Sequence, residues 1–91
     1  MSLHGVEKAL YDLGVDRASK TAFREDPDTF LQRYRLAPDE HAMVASFDVA
    51  SLIALGVNPM LTMGYWIQVA PDRSMRSYMA RLRAPSEKGP A

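Results

Sequence analysis

Residues 49–71, VASLIALGVNPMLTMGYWIQVAP, run for 23 positions without a charged side chain. One uninterrupted helix of about 20 apolar residues would cross a bilayer. Gly56 and the Asn58-Pro59 pair interrupt this one. Glycine readily takes the left-handed conformation that closes a helix, and proline fits the first turn of a new one. The segment therefore divides into pieces of about seven and about twelve residues, each too short to span a membrane. The expectation is two short helices in a folded domain, with no membrane partner.

The same punctuation recurs outward from this stretch. In EDPDTFLQRY, Asp26 is placed to cap a helix opened by Pro27, with Phe30, Leu31 and Tyr34 on one face. In LAPDEHAMVASF, Pro38 is followed by Asp39 and Glu40, carboxylates suited to the positive end of a helix, and Met43, Val44 and Phe47 are expected inside. Asp48 is the expected cap of VASLIAL. Leu3, Val6, Leu10 and Leu13 mark a first helix, expected to close at Gly14, and residues 18–23 suggest a second. Pro71 and Asp72 are expected to open a last helix with an amphipathic stripe of Met75, Tyr78, Met79 and Leu82. No strand pattern competes. The prediction is an all-α fold, a compact bundle of about five to seven short helices forming a single domain over residues 1–84, with 85–91 as a tail.

The helix expected from Pro59 to Ala70 is apolar nearly all round, and such a helix is normally buried. Its methionines and aromatics suit either a domain core or a protein interface. Trp66, beside Thr62 and Val69, is expected in the core. Tyr65, beside Leu61 and Gln68, is expected at a wet pocket edge, where truncation would damage binding.

Acids and bases balance overall but are unevenly placed. Residues 1–48 carry nine acids and six bases, and 49–91 carry two acids and five bases. Arg73, Arg76, Arg81 and Arg83 make a short basic run without aromatic interleaving, which reads as a solvated helix face and argues against a nucleic-acid partner. There is no cysteine, which excludes disulfides and thiolate sites. Glu7 and Lys8 interrupt the apolar pattern too early for an export signal, so a cytoplasmic location is expected.

Little catalytic chemistry is available. The two histidines, His4 and His41, are far apart in sequence, and no serine sits in a nucleophile motif. The glycines form no phosphate-binding loop. The chain is expected to be non-catalytic by itself, with no metal or cofactor of its own.

Several local patterns occur in a fixed order: Phe23 with Asp26-Pro27, Phe30-Leu31, L-x-x-x-E at Leu36 and Glu40, Asp48, and I-x-x-G-x-N at Ile53, Gly56 and Asn58. They fall within a resembling stretch, residues 22–75, that covers well over half of the chain. This pattern resembles the small, alpha subunit of the protocatechuate 4,5-dioxygenase family of extradiol ring-cleaving enzymes. The resemblance implies that non-heme iron(II) and the catalytic base belong to a separate beta-type catalytic subunit, whose active-site mouth the helical subunit covers. It also implies that the segment after the apolar helix lies nearest the substrate. Met75 stands where the family typically carries an aromatic residue, which leaves the substrate open.

Two functional readings follow. In the first, the chain is an accessory dioxygenase subunit whose pocket or partner-facing residues are Tyr65, Trp66, Asp72, Arg73, Met75 and Arg76, with Arg73 or Arg76 meeting a substrate carboxylate. In the second, the same fold is a free-standing, self-associating or peptide-binding module with no dioxygenase role.

Overall fold

The computed structural model describes residues 3–72 and 74–83, and these contain seven helices and no strand. They are α1 (Leu3–Val15), α2 (Arg17–Glu25), α3 (Pro27–Leu31), α4 (Pro38–Ala45), α5 (Val49–Leu55), α6 (Pro59–Val69) and α7 (Met75–Arg83). The expected tail, 85–91, lies outside the described residues.

Side-chain caps set most of the boundaries. Asp16 accepts the Ser19 amide and hydroxyl at 3.0 and 2.6 Å, and Asp26 does the same for Thr29 at 3.2 and 2.7 Å. Asp48 accepts the Ser51 amide, and Asn58 the Met60 amide at 2.9 Å. Each removes one of the unpaired amides that a helix start leaves exposed. At α4 the preceding residue, Ala37, has no capping oxygen, and Glu40 instead reaches back to the Ala37 amide at 2.8 Å. Gly56 closes α5 with φ +113°, a conformation that a side chain would strain.

Two boundaries differ from expectation. Gly14 does not end α1, which continues to Val15. The last helix starts at Met75, not beside Pro71, because the cap is built from two residues. Asp72 accepts the Ser74 amide and the Ser77 hydroxyl, and the Ser74 hydroxyl in turn accepts the Ser77 amide at 3.1 Å.

The central pair is α1 and α6, which lie side by side and run in the same direction. Leu3 meets Gly56, Glu7 accepts the Asn58 amide at 3.0 Å, and Gly14 lies against Gly64. Val6, Ala9, Leu10 and Leu13 form the buried stripe of α1 at helical spacing. Gly5 is packed so tightly on the loop before α4 that a methyl group there would lie 2.7 Å from the Arg35 carbonyl oxygen. All seven helices contribute to one apolar core, from Val6 to Tyr78.

The apolar helix α6 is buried on one side only. Thr62, Tyr65, Trp66 and Val69 face inward, covered by α1, α2, α5 and the Tyr78 ring, whereas Met60 and Ile67 are exposed. The expectation of burial all round is corrected for a simple reason: the helices of so short a chain reach only one side. The α7 stripe is corrected likewise. Tyr78 is buried and Leu82 packs on the core, but Met75 and Met79 face outward.

Candidate functional site

The corner joining α6 to α7 meets the turn joining α4 to α5, and Phe47 is the residue on which they meet. It has φ +59°, a left-handed conformation that is an outlier for a bulky aromatic residue. Several contacts hold it there. Its amide donates to the Val44 carbonyl at 3.2 Å, and its carbonyl accepts from the Val49 amide at 2.9 Å and from Arg81 Nε at 3.2 Å. Its ring stacks on Tyr65, with centroids 5.1 Å apart and planes 13° apart, and meets Phe23 and Trp66 edge-on at 5.8 and 5.9 Å.

Phe47 and Pro71 form a partition between two open clefts. One, of about 530 Å³, is bounded by Phe23, Arg24, Pro27 and the end of α6. Arg24 closes part of its rim by donating to the Gln68 carbonyl at 2.6 Å. The other, of about 500 Å³, is bounded by Ser46, Trp66, Asp72, Ser77, Ala80 and Arg81. Asp72 supplies an ionised edge to this second cleft. The Ser77 hydroxyl and then the Ser74 amide stabilise its carboxylate and lower its pKa from the ordinary aspartate value.

The expected site residues are distributed as follows. Trp66 is in the core as expected, edge-on to Tyr78 at 5.5 Å, and also walls the second cleft; its indole N–H is buried with no hydrogen-bond partner among the described residues. Tyr65 is corrected. Its ring is fully buried behind Phe47, not at a wet edge, because its hydroxyl donates to the Val44 carbonyl at 3.0 Å and so needs no water. Burial raises the pKa of this phenol well above the ordinary value. Asp72 joins Trp66 at the cleft, Met75 and Arg76 lie exposed on the first turn of α7 outside its lining, and Arg73 is outside the described residues.

Phe47 and Arg81 are the site residues that sequence reasoning missed. Phe47 reads simply as an apolar position before a cap. Arg81 reads as part of a solvated basic face, yet it donates to the carbonyls of Phe47 and of Ser46, the latter at 3.3 Å, at the carboxyl end of α4, where a cation is favoured. Arg76 and Arg83 do face solvent.

Among the described residues no three histidine, aspartate or glutamate side chains converge into a set that could hold a metal ion. His41 Nε2 lies 2.8 Å from Asp28 Oδ1, an exposed pair without a third ligand, and His4 is on the exposed side of α1. These residues do not fit an iron centre. Among the same residues no helix is long and apolar enough to cross a membrane.

Compared with known proteins, residues 6–83 match the model of a family described as aromatic-ring-opening dioxygenase LigAB, LigA subunit. No curated protein and no solved structure matches the chain.

Proposed function

The chain belongs to the family of LigA subunits of aromatic-ring-opening LigAB dioxygenases, and from that premise we propose that it is a cytoplasmic, non-catalytic subunit. It docks on a catalytic partner that carries non-heme iron(II) and covers the mouth of the partner's active site during extradiol cleavage of an aromatic ring. The family description makes its members one part of a two-part dioxygenase. The observation that carries the reading is the α6–α7 corner. There an ionised Asp72, held by Ser74 and Ser77, and an aromatic-walled cleft lie beside two exposed methionines, Met75 and Met79.

This corner suits a covering role. The Asp72–Ser74–Ser77 network fixes the start of α7, so the loop can meet a partner with little ordering cost. Methionine adapts to irregular apolar surfaces. Closing them over a partner's cleft excludes water and strengthens the electrostatic interactions inside it. Arg76, exposed beside Met75, is available to a substrate carboxylate as a charged hydrogen-bond donor.

The test is capture of the tagged chain from its source cells, with mass spectrometry of the proteins retained, followed by turnover assays of the reconstituted pair. A ring-cleaving dioxygenase large subunit is expected, with catalysis enhanced by the wild-type chain and less so by Met75→Glu. A large subunit that turns over identically with and without this chain would overturn the reading.

A further inference from the structure

Across the Phe47–Pro71 partition from Asp72 lies the cleft walled by Phe23, Pro27, Phe47, Val69 and Pro71, and of the described residues that line it Arg24 alone is charged. Arg24 Nη2 donates to the Gln68 carbonyl at 2.6 Å, which holds the guanidinium at the rim. No carboxylate among the described residues pairs with it. Asp26, two positions on, turns its two carboxylate oxygens to the Thr29 amide and hydroxyl. We propose that this cleft is a binding site for a small carboxylate whose apolar body is the size of a single ring, with the carboxylate on Arg24 and the body against the aromatic and proline walls.

The donors select the ligand. An arginine fork meets a carboxylate in two parallel hydrogen bonds, and among the described residues the Gln68 carbonyl is the only acceptor that Arg24 engages, so the fork keeps donors for a ligand. The backbone adds little: Pro27 and Pro71 have no N–H, and the Ala70 amide is taken by the Trp66 carbonyl at 3.0 Å. A phosphate group is commonly held by several donors at a helix N-terminus. This cleft instead meets α6 at its carboxyl end, where the partial charge is negative. A single arginine beside that end suits a monoanion. The apolar walls supply the rest of the selection, because an ion without an apolar body would leave them uncovered.

The volume of about 530 Å³ falls within the roughly 300–1,000 Å³ of small-molecule sites. The cleft is open, so a ligand there keeps part of its surface in water. A ligand of about ten non-hydrogen atoms then gains enough for a dissociation constant in the millimolar range. The site is complete within this chain, so it stands whether or not a catalytic partner docks at the α6–α7 corner.

Benzoate is the probe, titrated to about 20 mM into the isotope-labelled full chain at pH 7 and constant ionic strength, with the amide resonances as readout. Saturable shifts clustered at Phe23, Arg24, Val69 and Ala70 are expected, with benzamide, acetate and inorganic phosphate each binding at least about tenfold more weakly. Arg24→Gln keeps a donor for the Gln68 carbonyl but loses the charge, and should raise the benzoate dissociation constant about tenfold. Arg24→Lys, which keeps the charge but not the fork, should raise it by a smaller factor, and Asp72→Asn should leave it unchanged. Thermal melts check that the variants are folded, as the exposure of Arg24 leads one to expect. Should Arg24→Gln fail to fold, the four probes compared on the wild-type chain decide. Benzamide binding as tightly as benzoate would show a cleft with no use for the carboxylate, and acetate or phosphate binding as tightly would show an adventitious ion only. Either result overturns the proposal, as does benzoate that fails to bind or is indifferent to Arg24→Gln.

Discussion

Replacing Tyr65 by phenylalanine removes one hydroxyl from the interior and leaves the ring stacked on Phe47. The Val44 carbonyl that loses this donor still accepts the Phe47 amide at 3.2 Å, so it is not left bare. The cost is therefore that of one net hydrogen bond, about 1 kcal/mol, not the larger penalty of an orphaned buried acceptor. A domain of this size is stabilised by roughly 5–14 kcal/mol, and each kcal/mol is worth about 4–8 °C in melting temperature. Tyr65→Phe should melt about 4–8 °C below wild type at pH 7, whereas Tyr65→Ala, which empties the stack, should lose about 3–5 kcal/mol. Alkaline pH adds a second readout. Burial raises the Tyr65 pKa well above the ordinary value, so its contribution is fully present below the unfolded pKa of about 10 and is lost as pH rises above it. The loss is about 1.4 kcal/mol per pH unit, and Tyr65→Phe escapes it. The two melting curves should converge and cross between about pH 10.5 and pH 11. Tyr34, raised in the same direction by its own burial and by Asp12, destabilises both proteins equally and does not disturb the comparison. Calorimetric melts at pH 7 and across the alkaline range decide the matter. A hydroxyl that faced water would give no difference at pH 7, and a gap that stays constant to pH 11 would refute the buried assignment.

Gly5→Ala should lower the melting temperature by more than the helix propensity of alanine raises it, because the new methyl group meets the Arg35 carbonyl oxygen, a backbone atom that moves only with its loop; a stabilised variant would show that the loop yields freely. Asp16, Asp26 and Asp72 all have pKa values lowered chiefly by capping hydrogen bonds from Ser19, Thr29 and Ser77, so their stabilisation is present above the ordinary pKa of 3.8 and is lost as pH falls through their lowered values. Acid titration followed by circular dichroism should show unfolding that is weaker in its pH dependence when Asp26 is replaced by asparagine, a neutral cap; an unaltered acid limb would count against that cap.

The parts of this fold that were legible in the sequence are those decided within a few residues. Asp26, Asp48 and Asn58 cap the helices that follow them, and Gly56 ends α5, because each acts on backbone groups no more than four positions away. The conformation of Phe47 was not legible. Its carbonyl is held by an arginine 34 positions later, and its ring by aromatics 18 and 19 positions later, and no local pattern encodes either. Tyr65 was misplaced for a related reason. On a helix with no charged residue, periodicity says that the helix packs but not which side packs, and the choice fell to a distant acceptor, the Val44 carbonyl. Asp72 shows the intermediate case: the sequence places a helix start at Pro71 and Asp72 but does not reveal the partnership of Asp72 with Ser74, which moves the start of α7 to Met75. The uniformity that hid the orientation of α6 has a structural consequence of its own. Once Tyr65 and Trp66 commit one side of the helix to the core, its other side, with Met60 and Ile67, is left apolar and outside.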